Sequence, residues 1–401
     1  MGDSKSYKEI PLSVPNLDMD ILENIKETIE SGWVSTGGRF ITEFEKMMEE
    51  YTGIKKLGGG ARSFQSGTAA LHLALRALGV EAGDEVIVPT LTFIASVNPV
   101  KYLGAEPVFM DCDDTLNMDP IKLEEFLEKE CNIIDGKVIN KKTTKQIKGI
   151  VIVHIFGNPA DMEALMRIKE KYNLFLIEDS AEALGSYYTE GKYKGYHCGT
   201  IGDAGIYSFN ANKIITSGNG GMIVSKDHEL LDKVNFWGVQ AKTDPLRYIH
   251  GDIGYNYRMT NISAAYGVSQ LAKIENFIRV KEKNYEAYKE GVEKVEGLEL
   301  LPFKKNSRAN KWFYSLMINF EKFNFDREET MKLLSEKGIG TRPIWGLIHE
   351  QIPYQDCQAY NIEKAEYYSE RVLNIPCSSN LKISDVDYVI EQLKSISVES
   401  V

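Results

Sequence analysis

Short apolar runs alternate with stretches of helical period through the first half of this chain, and that alternation constrains the fold more than any other feature. The runs lie at residues 86–89, 107–111, 149–155 and 174–179, with helical patterns at 94–103 and 162–172 between them. Strands joined through helices run parallel, and a parallel sheet is covered by helices on both faces. An α/β architecture follows. Ligands of such folds bind beyond the carboxyl ends of the strands, and Asp179 closes the run 174–179 at one of those ends.

A carboxylate on a buried strand needs a charged or strongly donating partner, and the protonated nitrogen of a pyridine ring is one. Further along, Lys213 closes the stretch Tyr207-Ser208-Phe209-Asn210-Ala211-Asn212-Lys213. A lysine can hold a cofactor aldehyde as a Schiff base, while a carboxylate on the ring nitrogen keeps the ring an electron sink. The third requirement is a phosphate cradle. Ser66, Gly67, Thr68 and Ala69 lead straight into the helical pattern of Leu71, Leu75 and Leu78, and free amides at a helix start hold phosphate. Taken singly these are a strand-end cap, a surface lysine and an ordinary helix cap. In this order they point to pyridoxal phosphate.

With these motifs in place, the chain resembles the DegT/DnrJ/StrS group of sugar-nucleotide aminotransferases, over nearly its whole length. The resemblance rests on Gly32-Trp33-Val34-Ser35-Thr36-Gly37-Gly38, the Ser66–Leu71 turn, Pro89-Thr90-Leu91-Thr92-Phe93 and His154-Ile155-Phe156-Gly157-Asn158-Pro159-Ala160-Asp161. Glu178-Asp179-Ser180-Ala181-Glu182-Ala183, the Lys213 segment, Gly254-Tyr255-Asn256-Tyr257-Arg258-Met259-Thr260-Asn261 and Thr341-Arg342-Pro343-Ile344-Trp345 extend it. It implies the fold type I of pyridoxal phosphate transferases: a mainly parallel seven-stranded sheet with helices on both faces, plus a smaller C-terminal α+β domain.

The resemblance also implies roles. Lys213 would anchor the cofactor and act as acid and base, and Asp179 would face the ring nitrogen. Phe93 would stack on the ring. Ser208 and the backbone at Gly67, Thr68 and Ala69 would bind the phosphate, and Asn210 would contact the cofactor. Glu182 would lie near the phenolic oxygen, where many relatives carry glutamine or histidine; a glutamate there repels a phenolate unless one of the two is protonated. Asn256 would reach the cofactor phosphate of the neighbouring subunit, implying a homodimer with shared sites. Trp33, Arg39, Arg342, Trp345 and His349 are candidates for sugar, diphosphate or donor carboxylate.

The implied reaction moves an amino group from glutamate, through pyridoxamine phosphate, to a UDP-linked 4-keto-6-deoxy-N-acetylhexosamine of the bacillosamine or legionaminic acid type. The product would be an aminosugar nucleotide for surface glycans. Amination at carbon 3 of a dTDP-linked ketosugar and a non-catalytic cofactor-binding regulator are the alternatives. Dehydratase relatives replace the lysine or add a cluster, and Lys213 with scattered cysteines disfavours both.

Composition sets bounds. A chain of 401 residues with 43% hydrophobic content is expected to form two domains, placed at 1–270 and 271–401. The net charge of -11 argues against nucleic-acid binding. Cys112, Cys131, Cys198, Cys357 and Cys377 show no metal-ligand spacing and are expected to be reduced thiols, with no metal site. No apolar run is long enough to span a membrane and the charged start lacks a signal core, so a cytoplasmic protein is expected. Gly2 and Ser6 formally fit a myristoylation pattern. The lysine-rich stretch 135–148 reads as a surface insertion.

Overall fold

The computed structural model describes residues 9–398; the charged start and the Gly2 pattern lie outside them. Nine strands build the large sheet's main body: β1 (Gly60–Phe64), β2 (Glu85–Pro89), β3 (Glu106–Met110), β4 (Cys131–Ile134), β5 (Lys137–Asn140), β6 (Gln146–Val153), β7 (Phe175–Asp179), β8 (Ala204–Ser208) and β9 (Gly221–Ser225). The order β1-β9-β8-β7-β6-β2-β3 makes the seven-stranded core that the resemblance implies. Within it β9 alone is reversed, pairing antiparallel with both neighbours.

Alternation along each strand supplies both faces of the core. In β6, Val151 joins Val88, Ile177 and Ile206 on one face, while Ile150 and Ile152 join Ile87, Met110 and Leu176 on the other. Helices cover both sides, among them Gly67–Ala77 and His228–Gly238 on the first and Met162–Tyr172 on the second. The sheet grows to ten strands through the β4–β5 hairpin and a short strand, Ala359–Tyr360, parallel to β3. Part of the stretch expected as a surface insertion is thus sheet: Val138 pairs with Ile147.

The smaller unit is α+β. Helices Ile274–Val292 and Ile383–Val398 pack together beside an antiparallel sheet of Leu298–Leu300, Tyr314–Ile318, Val372–Ile375 and Arg342–Pro343. Two segments cross the expected boundary at residue 270. Ile10 hydrogen-bonds with Gly338 and Gly340 and Leu12 with Cys377, so the N-terminal arm lies on the smaller unit. Conversely, Ala359–Tyr360 returns to the large sheet, and Asp111 receives the N–H groups of Glu363, Lys364 and Ala365.

Candidate active site

Asp179 ends β7, Ser208 ends β8, and the Ser66–Gly67 turn follows β1, so strand direction alone brings them to one edge of the sheet. A cavity of about 260 Å³ opens there. Asp179 is buried; its carboxylate accepts the Ser96 hydroxyl at 2.7 Å and the Ala181 N–H at 3.1 Å. Burial pushes its pKa up against those bonds. Among the described residues no cation stands within salt-bridge distance of the carboxylate, which lines the cavity and feels Lys213 and His154 only at longer range. Glu178, one residue earlier and on the opposite face, is pinned by the N–H groups of Gly199, Ile201 and Gly202 at 2.7–2.8 Å and by His154. His154 Nδ1 accepts the Ala160 N–H, which leaves Nε2 to donate to Glu178 at 3.0 Å. This grid fixes the end of β7.

Lys213 reaches the cavity from the loop after β8. Its Nζ lies 3.8 Å from Glu182 Oε1 and 4.1 Å from the centre of the Trp312 ring. Burial lowers the lysine's pKa while Glu182 and Asp179 oppose the shift. Glu182 is buried too, and Oε2 accepts the Phe156 N–H at 2.8 Å. Burial, opposed by Lys213, raises its carboxyl to about 7. A glutamate that holds its proton near neutrality removes the repulsion expected beside a phenolate.

The cradle is set by the helix cap. Ser66 Oγ accepts the Ala69 N–H at 3.1 Å and Ser66 O accepts that of Ala70, which leaves the amides of Gly67 and Thr68 without an internal partner at the cavity wall. The Ala69 amide, expected to face the cofactor as well, is donated to the Ser66 cap. Ser208 stands beside these amides, since a Cβ on Gly67 would come within 3.0 Å of Ser208 Cβ. Gly221 lets β9 pass beneath, where a Cβ would sit 2.3 Å from Ser66 O.

Phe93, half exposed, and Trp345 form part of the cavity wall with ring centres 6.4 Å apart, and Asn210 lines it as well. Other expected residues lie elsewhere. Arg39 is engaged by Glu27 and Glu43, Trp33 is exposed outside the wall, and Asn256 bridges to Val239. Arg342 is exposed on the smaller sheet, and His349 Nδ1 bonds Thr90 Oγ1 at 2.6 Å. His349, Glu350 and Glu366 bring ligand atoms within 4.8 Å of one another, but two of the three are exposed acids, and nothing further marks a metal site. Sequence reasoning missed Ser96, Asn212, Asn219, Trp312 and Phe313, all in the wall. No local spacing announces Ser96, Trp312 or Phe313, which reach the site through tertiary packing, whereas Asn212 comes with Lys213 as its chain neighbour.

A buried aspartate without a salt-bridge partner, a largely buried lysine lining the same cavity and two open amides are what a fold type I pyridoxal phosphate enzyme requires of its chain. The chain belongs to the DegT/DnrJ/EryC1/StrS aminotransferase family, whose profile matches residues 15–394. It is 38% identical over 387 residues to GDP-perosamine synthase of Escherichia coli O157:H7, covering 96% of this chain and 98% of that protein. The GDP-perosamine synthase of Caulobacter vibrioides is 35% identical over 391 residues, with 97% and 98% covered. Among solved structures, the aminotransferase TlmJ from Streptoalloteichus hindustanus superposes with a TM-score of 0.86 at 27% identity, over 98% of this chain and all of that one. The protein is thus a pyridoxal phosphate-dependent sugar aminotransferase. The UDP-linked acceptor is a separate matter, since these relatives' names carry GDP.

Proposed function

We propose that this enzyme moves an amino group from glutamate to a GDP-linked 4-keto-6-deoxy sugar, giving an aminosugar nucleotide for surface glycans. The observation that carries the chemistry is the buried Asp179 carboxylate, without a salt-bridge partner, lining the same cavity as Lys213 and the open Gly67 and Thr68 amides. Bound pyridoxal phosphate supplies an electron sink for the carbon that loses or gains nitrogen. Asp179 would accept a hydrogen bond from the ring nitrogen and keep it protonated. The Gly67 and Thr68 amides, with the Ser208 hydroxyl, would hold the phosphate, and Asn210 would contact the cofactor. Phe93 would cover a ring face, an offset contact worth about 0.5–1.5 kcal/mol, and Glu182 would donate its proton toward the phenolic oxygen. Lys213 Nζ takes and returns the proton at the reacting carbon; its lowered pKa makes the neutral amine accessible.

Lys213 is the only lysine or arginine among the described residues lining the cavity, so the anionic ends of donor and acceptor are met at the rim. We assign Trp345 to the sugar, and Arg342, His349, Trp33 and Arg39 to the outer substrate-binding surface. The hairpin that leads to Asn256 exposes Leu246, Tyr248, Ile249 and Ile253, an apolar surface suited to a second copy. A homodimer, with Asn256 reaching the partner's phosphate site, accounts for its distance from the cavity of its own chain. No helix among the described residues is long and apolar enough to cross a membrane, which agrees with a cytoplasmic setting. Product mass with GDP-, UDP- and dTDP-linked keto sugars, each with glutamate, tests the acceptor. Preferential amination of the GDP sugar supports the reading. Preferential amination of the UDP-N-acetylhexosamine overturns the nucleotide assignment.

A further inference from the structure

Trp312 belongs to the smaller unit, just before the strand Tyr314–Ile318, yet its ring forms part of the large-unit cavity wall. Lys213 Nζ sits 4.1 Å from the ring centre, inside the ~6 Å range over which an ammonium is attracted to an indole face. The ring is held from several directions. Its Nε1–H donates to Asn212 O at 2.8 Å, the carbonyl directly before Lys213. Phe313 stacks on it at 4.0 Å with the planes 6° apart. The Trp312 main-chain N–H is shared between Phe156 O and Asn310 Oδ1, each at 3.0 Å.

Asn310 carries the connection onward. It is fully buried, and its side-chain amide donates to Glu182 O at 2.8 Å and Leu184 O at 2.9 Å. Lys213, Asn212, Trp312, Asn310 and Glu182 therefore form one frame, closed on its last side by the 3.8 Å approach of Lys213 to Glu182. A residue present only to fill space needs neither a bond to the Asn212 carbonyl nor a ring face turned to Nζ.

We propose that Trp312 is a positioning residue, an aromatic shelf that holds the Lys213 ammonium facing Glu182 whenever that nitrogen is not covalently engaged. The inference deepens the aminotransferase reading and rests on it for the role of Lys213. Burial favours the neutral amine, and the carboxylates oppose burial. Glu182, however, loses its charge below about 7, whereas the ring's attraction for a cation does not titrate. Alongside Asp179, the shelf steadies the ammonium where Glu182 has lost its charge.

The test measures the ε-amine itself. The full-length chain, freed of bound small molecules, is acylated with isotope-labelled acetic anhydride across a pH series. It is then unfolded, labelled to completion with the second isotope and digested. The Lys213 peptide reports the midpoint of amine protonation. Trp312→Leu is expected to lower the midpoint by about 0.4–1.5 pH units, and Trp312→Phe by a smaller amount, since a weaker π face remains. Should Trp312→Leu fail to fold, the direction of the Trp312→Phe shift decides. An unchanged or raised midpoint in the folded variants overturns the proposal. So does labelling that rises equally at all pH values with a lower melting temperature, which is what loosened packing alone would produce. No cofactor or substrate enters this experiment, so its failure is separable from failure of the aminotransferase reading.

Discussion

Replacing Glu182 with glutamine should change how the protein's stability responds to pH more than it changes the structure. The Glu182 carboxyl is raised from 4.5 to about 7 by burial, opposed by Lys213. The folded state therefore binds this proton more tightly than the unfolded chain does. The resulting stabilisation is fully present below pH 4.5 and is lost as pH rises through 7. A shift of that size corresponds to about 3 kcal/mol at about 1.4 kcal/mol per pH unit. With an unfolding entropy of ~2.1 cal/mol/K per residue, a chain of this length loses about 4 °C of melting temperature per 3 kcal/mol. Glutamine keeps an oxygen for the Phe156 N–H and carries no charge at any pH. Thermal melts of the cofactor-free protein from pH 5 to 8.5 should show a fall of about 3 °C in the wild type, spread between pH 5 and 7 and levelling off above it, that Glu182→Gln lacks. Parallel curves for the two proteins would refute the assignment of a proton to Glu182.

Three further outcomes follow from the geometry. Gly157 has φ +84° and a Cβ there would lie 1.8 Å from Asn310 Oδ1; Gly157→Ala should cost about 2–5 kcal/mol, read as a lower melting temperature. Asp179→Asn removes a charge-assisted hydrogen bond worth about 1.5–3 kcal/mol, so cofactor titration should show affinity reduced roughly 10- to 150-fold. In the proposed dimer, Asn256→Ala removes a hydrogen bond to a charged phosphate, worth about 1.5–3 kcal/mol; it should speed cofactor loss from a dimer in a dialysis assay and leave a monomer unaffected.

What could be read in the sequence was what is local along the chain. Asp179 at a strand end, the Ser66–Ala69 turn and the Lys213 segment each declare themselves within a few residues, and parallel strands then carry all three to one edge. At Ala69 a competition is invisible in a motif: Ser66 can leave its neighbours' amides to a ligand or cap one itself, and it caps Ala69. Ser96 and Trp312 were illegible for another reason. Ser96 reaches Asp179 from the loop after β2, and Trp312 reaches Lys213 from the smaller unit; only tertiary packing creates those contacts. The strand boundary of the 135–148 stretch was hidden by its lysines, which suit an edge hairpin as well as a loop. The ion pair of Arg39 with Glu27 was equally unreadable, since only the fold brings the two helices together.

The central claim is that Lys213 carries the cofactor. Borohydride treatment of the purified holoenzyme, followed by digestion and peptide mass analysis, tests it most directly. The account predicts a pyridoxyl phosphate adduct on the Lys213 peptide, absent from Lys213→Ala and from every other lysine peptide. An adduct on a different lysine, or a holoenzyme that yields none, would contradict it.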